Sequence, residues 1–318
     1  MNETLEKTGI TIWNEDDFHK ENVILRDGRE AILWVENETG HGILDWTFWE
    51  SADFYEENYR KEFTANLGEQ VENLQNLKIY EGVNLRQFDI LKPLIEPQSV
   101  YLELGASFGG VFGLATKYAK EAWAVEPNHK DAAFLSGRFP DAHILNQTVE
   151  QAELPEGHFS VVAAFEVLEH TATPCCFLQK CFDALEIGGK ILLEVPNRAD
   201  ILYSTYKIPR YQTFFYHKAH IHYYTEKSLR LILEKNGFSG HVSSFLMYPF
   251  FNHVFWTQNN SPQGSGEKAL KLNVPIDFET ENGKKIFDFW KKCESEYDKL
   301  VNSMMLGDCL IFSGIKKG

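Results

Sequence analysis

Two carboxylates close neighbouring apolar runs in this chain, and a glycine-rich turn lies between the runs. The first run and its turn read SVYLELGASFGG at 99–110, with Glu103 ahead of Gly105, Gly109 and Gly110. The second run is AWAVEP at 122–127, ending in Glu126 and Pro127. A strand followed by such a turn and a helix gives a nucleotide-like ligand a backbone seat. An acid closing the next strand accepts hydrogen bonds from both hydroxyls of a ribose. Ser107 breaks the dinucleotide pattern G-x-G-x-x-G at its second position, the glycine that lets backbone approach a pyrophosphate. An acid before the turn and a serine inside it suit a nucleoside ligand carrying an ammonium group and no phosphate.

A second set of residues can move protons. The pair Glu169-His170 follows the apolar run VVAAF, at the strand end where open parallel sheets place their ligand crevice. Histidine titrates near neutrality and is the commonest general base. FFYHKAHIHYYT at 214–225 adds His217, His220 and His222 beside Tyr216, Tyr223 and Tyr224. In extended backbone His220 and His222 share a side. Three readings stay open for this segment: an acceptor pocket with His220 or His222 as base, packing with Thr225 as a helix N-cap, or a metal site. The histidine spacing has no supporting carboxylate, so no metal is expected. Arg198 and Arg210, after Pro196-Asn197, are candidates for holding an anionic substrate group, with solvated loop charge as the alternative.

S-adenosylmethionine (SAM) is a ligand of the kind the turn suits. Residues 99–197 resemble the catalytic core of the class I SAM-dependent methyltransferases, most closely the branch that methylates small molecules, quinones and sugars. Beyond the turn, ILNQTVEQAELPEGHF at 144–159 resembles that branch's third motif. FEVLEHTATP at 165–174 resembles its post-strand motif, and ALEIGGKILLEVPN at 184–197 its glycine-glycine-strand segment. The resemblance covers about a third of the chain.

That resemblance implies a doubly wound, mostly parallel seven-stranded sheet of Rossmann-like type, SAM as cofactor, and methyl transfer to an O or N atom of a small molecule. A sugar or surface-glycan precursor, or a phosphorylated amine, is the expected acceptor. Glu103 and Gly105 are placed at the methionine amino group, and the backbone of Ala106, Ser107 and Phe108 along its carboxylate. Glu126, with Pro127, falls at the ribose, Glu150 and Gln151 at the adenine edge, and Glu166 in the same crevice. An aromatic helix carrying Tyr55 and Tyr59 is expected to close over SAM, and the segment with His217 and Tyr223 to cover the crevice. Transfer from a sulfonium is an in-line displacement that requires alignment, exclusion of water and a base. His170, His220 and His222 are the candidates for that base. The alternatives are a protein or nucleic-acid methyltransferase and a non-catalytic SAM-binding relative. A nicotinamide-dependent oxidoreductase is opposed by the broken glycine pattern.

Composition narrows the partners. A net charge of −15 opposes nucleic acid, whose recognition uses Lys and Arg to neutralise phosphates. The 43% apolar and 24% charged content is that of a globular protein. MNETLEKTG is polar and acidic, unlike a signal peptide, and no apolar run approaches the ~20 residues of a membrane span. A cytoplasmic protein with five reduced cysteines and no membrane partner is expected.

The elements follow from the patterning. Residues 1–97 read as an extension, with a hairpin at Asp27-Gly28, an aromatic helix over 51–67 and a further helix near 85–95. Residues 98–258 read as the core, with strands at 99–104, 121–126, 141–145, 159–165 and 189–195 and a substrate loop at 196–225. Helices fall at 109–119, 129–138, 174–186 and 226–236. Such alternation demands a parallel sheet with right-handed crossovers. An insertion at 259–306 with a helix from 283 to 304, suited to packing or to a homodimer contact, precedes a last strand at 307–318.

Overall fold

Apolar strands and amphipathic helices alternate after residue 99, and the chain folds them into two sheets. The structure is a computed structural model that describes residues 1–49, 73–264, 266–272 and 274–318. The aromatic helix expected over 51–67, with Tyr55 and Tyr59, lies outside the described residues.

The N-terminal part forms strands β1 (Phe18–Ile24), β2 (Glu30–Glu36) and β3 (Gly42–Leu44). Gly28, at φ 90°, closes the β1–β2 hairpin as the Asp-Gly pair predicts. The core strands are β4 (Val100–Leu104), β5 (Glu121–Val125), β6 (His143–Leu145), β7 (Phe159–Phe165) and β8 (Leu185–Pro196). A two-residue strand, β9 (His222–Tyr223), pairs antiparallel with β3 and completes a four-stranded sheet. Then β10 (Phe238–Phe245) and β11 (Cys309–Lys316) join the core antiparallel, through β11 against β8.

The core sheet has seven strands in the order β10-β11-β8-β7-β4-β5-β6. From β4 the chain winds outward through β5 and β6, then returns to β7 on the other side of β4. The boundary between β4 and β7 is therefore the topological switch point, and ligands bind in the crevice outside the carboxyl ends of such strands. Val161, Val162 and Ala163 in β7 are all fully buried, as expected for a central strand covered on both faces.

Several elements depart from the sequence expectation. The helix after the glycine turn spans only Phe112–Ala115. Gly109, Gly110 and Gly113 all fall in the predicted span, and glycine costs about 1 kcal/mol in a helix interior. Residues Asn2–Thr8 form a short helix, closed by Gly9 at φ 65°, ahead of the β1–β2 hairpin. The late insertion carries a helix at Glu281–Ser303, close to its predicted span, which packs on β10 and the Phe250–Asn259 helix. No helix among the described residues is long and apolar enough to cross a membrane.

Candidate active site

The carboxyl ends of β4, β5 and β7 bring three acids to one crevice. Glu103 is the fourth residue of β4, Glu126 follows β5, and Glu166 follows β7. Gly105 N–H donates to the Val125 carbonyl at 2.8 Å and fastens the turn to β5. The Glu126 carboxylate then bridges the crevice rim. It accepts the Ser107 N–H at 2.6 Å and the Asn128 N–H at 2.8 Å. Asn128 in turn caps the His129–Arg138 helix, accepting from the N–H groups of Lys130 and Asp131. Ser107 holds this turn at φ 54°, a left-handed conformation that a non-glycine residue adopts at some cost.

Gly105 is required for a different reason. Its φ is 71°, and a Cβ there would lie 2.5 Å from Val167 Cγ2. Gly105→Ala should cost about 1–2 kcal/mol for the backbone alone. Val167, which lines the same crevice, must also shift. A lower Tm and weakened SAM binding are the expected results of thermal unfolding with and without ligand; a Tm equal to that of the parent would refute the tight fit.

Glu103 is 3% exposed and accepts the Tyr101 hydroxyl at 2.5 Å. Burial pushes its carboxyl up to about 8, against the lowering by hydrogen bonds, and the Glu126 charge adds to the rise. A buried acid held near neutrality in this way is poised to pair with a cation. Burial also drives Glu166 well above the usual carboxylate range, reinforced by the charges of Glu169 and Glu194. Glu166 sits at φ 56°, with its carboxylate near Glu194 and Cys309.

These groups border a cavity of about 700 Å³, well within the range of small-molecule sites. Glu103, Gly105, Ala106, Ser107, Glu126, Pro127, Glu150, Gln151, Glu166 and His170 all line it. Sequence reasoning missed the opposite wall. Val83, Asn84 and Gln87 come from the Glu81–Leu91 helix and Tyr80 from the position just before it, with Trp49 and Met247 beside them. Arg86 holds that wall in place by donating to the carbonyls of Leu246, at 2.9 Å, and Met247. Asn84 packs against Gly110, where any side chain would collide with it.

The histidine-rich segment is divided by the structure. His170 lines the cavity; burial lowers its pKa to about 4, with a partial offset from the hydrogen bond to Ala219. His220 lies behind it, ring to ring at 4.8 Å. His222, a catalytic candidate from the sequence, belongs to β9, is 1% exposed and does not line the cavity. Its Nδ1 meets His41 Nε2 at 3.1 Å, and burial lowers its pKa to about 3, so it is a neutral packing residue of the second sheet. His217 and Tyr223 are likewise buried and do not line the cavity. The Tyr223 hydroxyl accepts from His217 N–H and donates to His217 O, closing the loop between them. Arg198 and Arg210 are also absent from the cavity wall. Arg198 pairs with Glu21 at 2.8 Å and donates to the Gly40 carbonyl, while Arg210 is exposed on the Pro209–Phe214 helix.

A family model described as a methyltransferase domain matches residues 78–241, just over half of the chain. The chain is 29% identical over 97 residues to a probable S-adenosylmethionine-dependent methyltransferase of Mycolicibacterium smegmatis. That alignment covers 30% of this chain and 38% of the relative. It is also 29% identical over 108 residues to the mitochondrial ubiquinone biosynthesis O-methyltransferase of Mus musculus, covering 32% of this chain and 29% of that protein. The chain thus spans well under half the length of these curated relatives. Its fold is similar to a SAM-dependent methyltransferase of Archaeoglobus fulgidus, with a TM-score of 0.51 at 16% identity over 81% of this chain and all of that one. A second such structure, from Thermotoga maritima, gives 0.50 at 17% identity over 85% of this chain and all of that one. The chain belongs to the class I SAM-dependent methyltransferase family. The cofactor of that family fits the residues present: a glycine turn, an acid bridging the turn and the next strand, and a buried acid with a raised pKa.

Proposed function

We propose that this chain transfers a methyl group from SAM to an oxygen or nitrogen atom of a small molecule, with neutral hydroxylated acceptors of the sugar type favoured over phosphorylated ones. The observation that carries the reading is Glu126, whose two oxygens span Ser107 and Asn128 at the rim of the cavity. Bound there, SAM supplies a methyl group on a positively charged sulfur. Glu103 would hold its amino group, Glu126 its ribose, and Glu150 with Gln151 the adenine edge. The cavity walls exclude water and align the acceptor, a contribution that reaches roughly 7–11 kcal/mol in ideal cases.

Charge supports the choice of acceptor. Glu103, Glu126, Glu150 and Glu166 line the cavity, and none of its described lining residues is Lys or Arg. A phosphate entering there would meet no cationic side chain among the described lining residues to neutralise it. Strong overall acidity likewise opposes nucleic acid.

Radiolabelled methyl transfer tests this. The full chain is incubated with labelled SAM and a panel of sugars, polyols, amines and phosphorylated amines. Label is expected in neutral hydroxylated compounds. Label confined to protein or nucleic-acid acceptors, or SAM binding without turnover on any acceptor, would replace the reading with one of its rivals.

A further inference from the structure

Beside the cavity, two chain segments far apart in sequence converge on three metal-ligating side chains. Glu169 and His170 lie on the short turn Leu168–His170 after β7, and His220 precedes β9. One ligand atom from each lies within 4.8 Å of the other two. Bonds of about 2.0–2.2 Å to an ion place neighbouring ligand atoms roughly 3–4 Å apart, so small side-chain adjustments close this set onto one ion.

The backbone holds the two segments together. Ile221 N–H donates to the Glu169 carbonyl at 2.8 Å, and His170 Nδ1 meets the Ala219 carbonyl at 2.8 Å. The second contact assigns the ring proton to Nδ1 and turns the lone pair of Nε2 toward Glu169 Oε1, 3.4 Å away. Metal-binding histidines use the same device, donating the other ring N–H to a carbonyl.

Glu169 supplies the independent observation. It is fully buried, and neither carboxylate oxygen has a hydrogen-bond partner. A ring nitrogen facing a carboxylate oxygen is stabilised by a proton or a cation between them. At 3.4 Å the gap is long for a shared proton, since hydrogen bonds of this type fall nearer 2.7–3.2 Å. It suits two ligands of one ion. Burial raises the Glu169 carboxyl to about 8, and the Glu194 charge adds to the rise, so an ion bound here would displace a proton.

We propose that Glu169, His170 and His220 form a divalent-cation site in the cavity wall, which takes a Zn2+- or Mn2+-class ion and receives a hydroxyl group of the methyl acceptor. Two imidazoles with one carboxylate favour such ions over Mg2+ or Ca2+, which prefer oxygen ligands throughout. Three protein ligands leave open positions, as in catalytic rather than structural sites. His170 and Ile221 line the cavity, so those positions are reached from it. The role assigned to the ion rests on the methyltransferase reading, whereas the binding of the ion does not. A divalent cation lowers the pKa of a hydroxyl it holds. The acceptor O–H then releases its proton to water and the oxygen lone pair forms the new C–O bond. The C–S bond breaks with its electron pair kept by sulfur, which leaves a neutral thioether.

The test is calorimetric titration of the chelator-treated, full-length chain with ZnCl2 and, separately, MnCl2. One equivalent should bind with a micromolar or tighter Kd. Glu169→Gln and His220→Ala should each weaken binding by more than the roughly 10–100-fold typical of losing an outer-shell partner. His241→Ala, at an exposed position of β10, should leave it unchanged. SAM titrated into the same variants reports whether they fold. In Zn2+-soaked crystals of the unaltered chain, an anomalous peak should lie among Glu169, His170 and His220, a readout that needs no variant. No binding tighter than millimolar, equal binding by Glu169→Gln and His220→Ala, or a peak elsewhere would overturn the site. Zn2+ binding here without SAM binding would defeat the methyltransferase reading and leave the cation site standing; the reverse result would do the opposite.

Discussion

Glu126→Ala is expected to weaken SAM binding about 100-fold or more while leaving the fold intact. Two hydrogen bonds from ribose hydroxyls to a carboxylate contribute about 1.5–3 kcal/mol each, so their joint loss exceeds about 3 kcal/mol. The same substitution frees the Ser107 and Asn128 N–H groups, which the Glu126 carboxylate holds at 2.6 and 2.8 Å. The turn therefore loses its anchor as well as its ligand contact. Glu126→Gln keeps one acceptor and should fall between the two. Titration calorimetry checks the affinity and thermal unfolding of the ligand-free variant checks the fold; a change below about threefold would remove Glu126 from the binding account.

SAM affinity should also rise steeply with pH below 8. Burial holds the Glu103 carboxyl near 8 in the free protein, far above its ordinary value of 4.5. The ammonium of the ligand selects the ionised form, so binding below pH 8 must release close to one proton. That linkage makes affinity rise by up to about tenfold per pH unit between pH 6 and 8. Above that range an α-amino group, with an ordinary pKa of about 7.7–8.0, loses its own proton and affinity falls again. The sign for stability is opposite. The raised pKa gives the free protein a contribution fully present below pH 4.5 and lost as pH rises through about 8. Calorimetry in buffers of different ionisation enthalpy reads the released proton directly. Glu103→Gln should bind weakly with a flat profile over pH 6–8. A parent profile that is equally flat would show that Glu103 does not titrate on binding.

The acids at the strand tips were legible because each sits at the end of a run whose burial is written in its composition. VVAAF fits a strand covered on both faces, and AWAVEP ends where a parallel sheet presents its crevice. The division of the histidines was not legible. His222 pairs with Ile43 and contacts His41, residues about 180 positions earlier, and a two-residue strand has no periodicity to read. Arg198 looked available for an anion because Glu21, its partner across the second sheet, is equally remote. The wall built from Asn84 and Gln87 was hidden for another reason: a helix pattern tells that one face is covered, not what covers it. Glu169 stood beside His170 in plain view, yet its pairing with His220 depends on the contact of Ile221 with the Leu168–His170 turn.

The cavity at the carboxyl ends of β4, β5 and β7 is the proposed seat of an adenosyl sulfonium. Titration calorimetry of the full chain with SAM, S-adenosylhomocysteine and NAD+ tests this directly. One equivalent of SAM and of S-adenosylhomocysteine should bind, and NAD+ should give no heat. Binding of NAD+ with no response to either sulfur compound would contradict it.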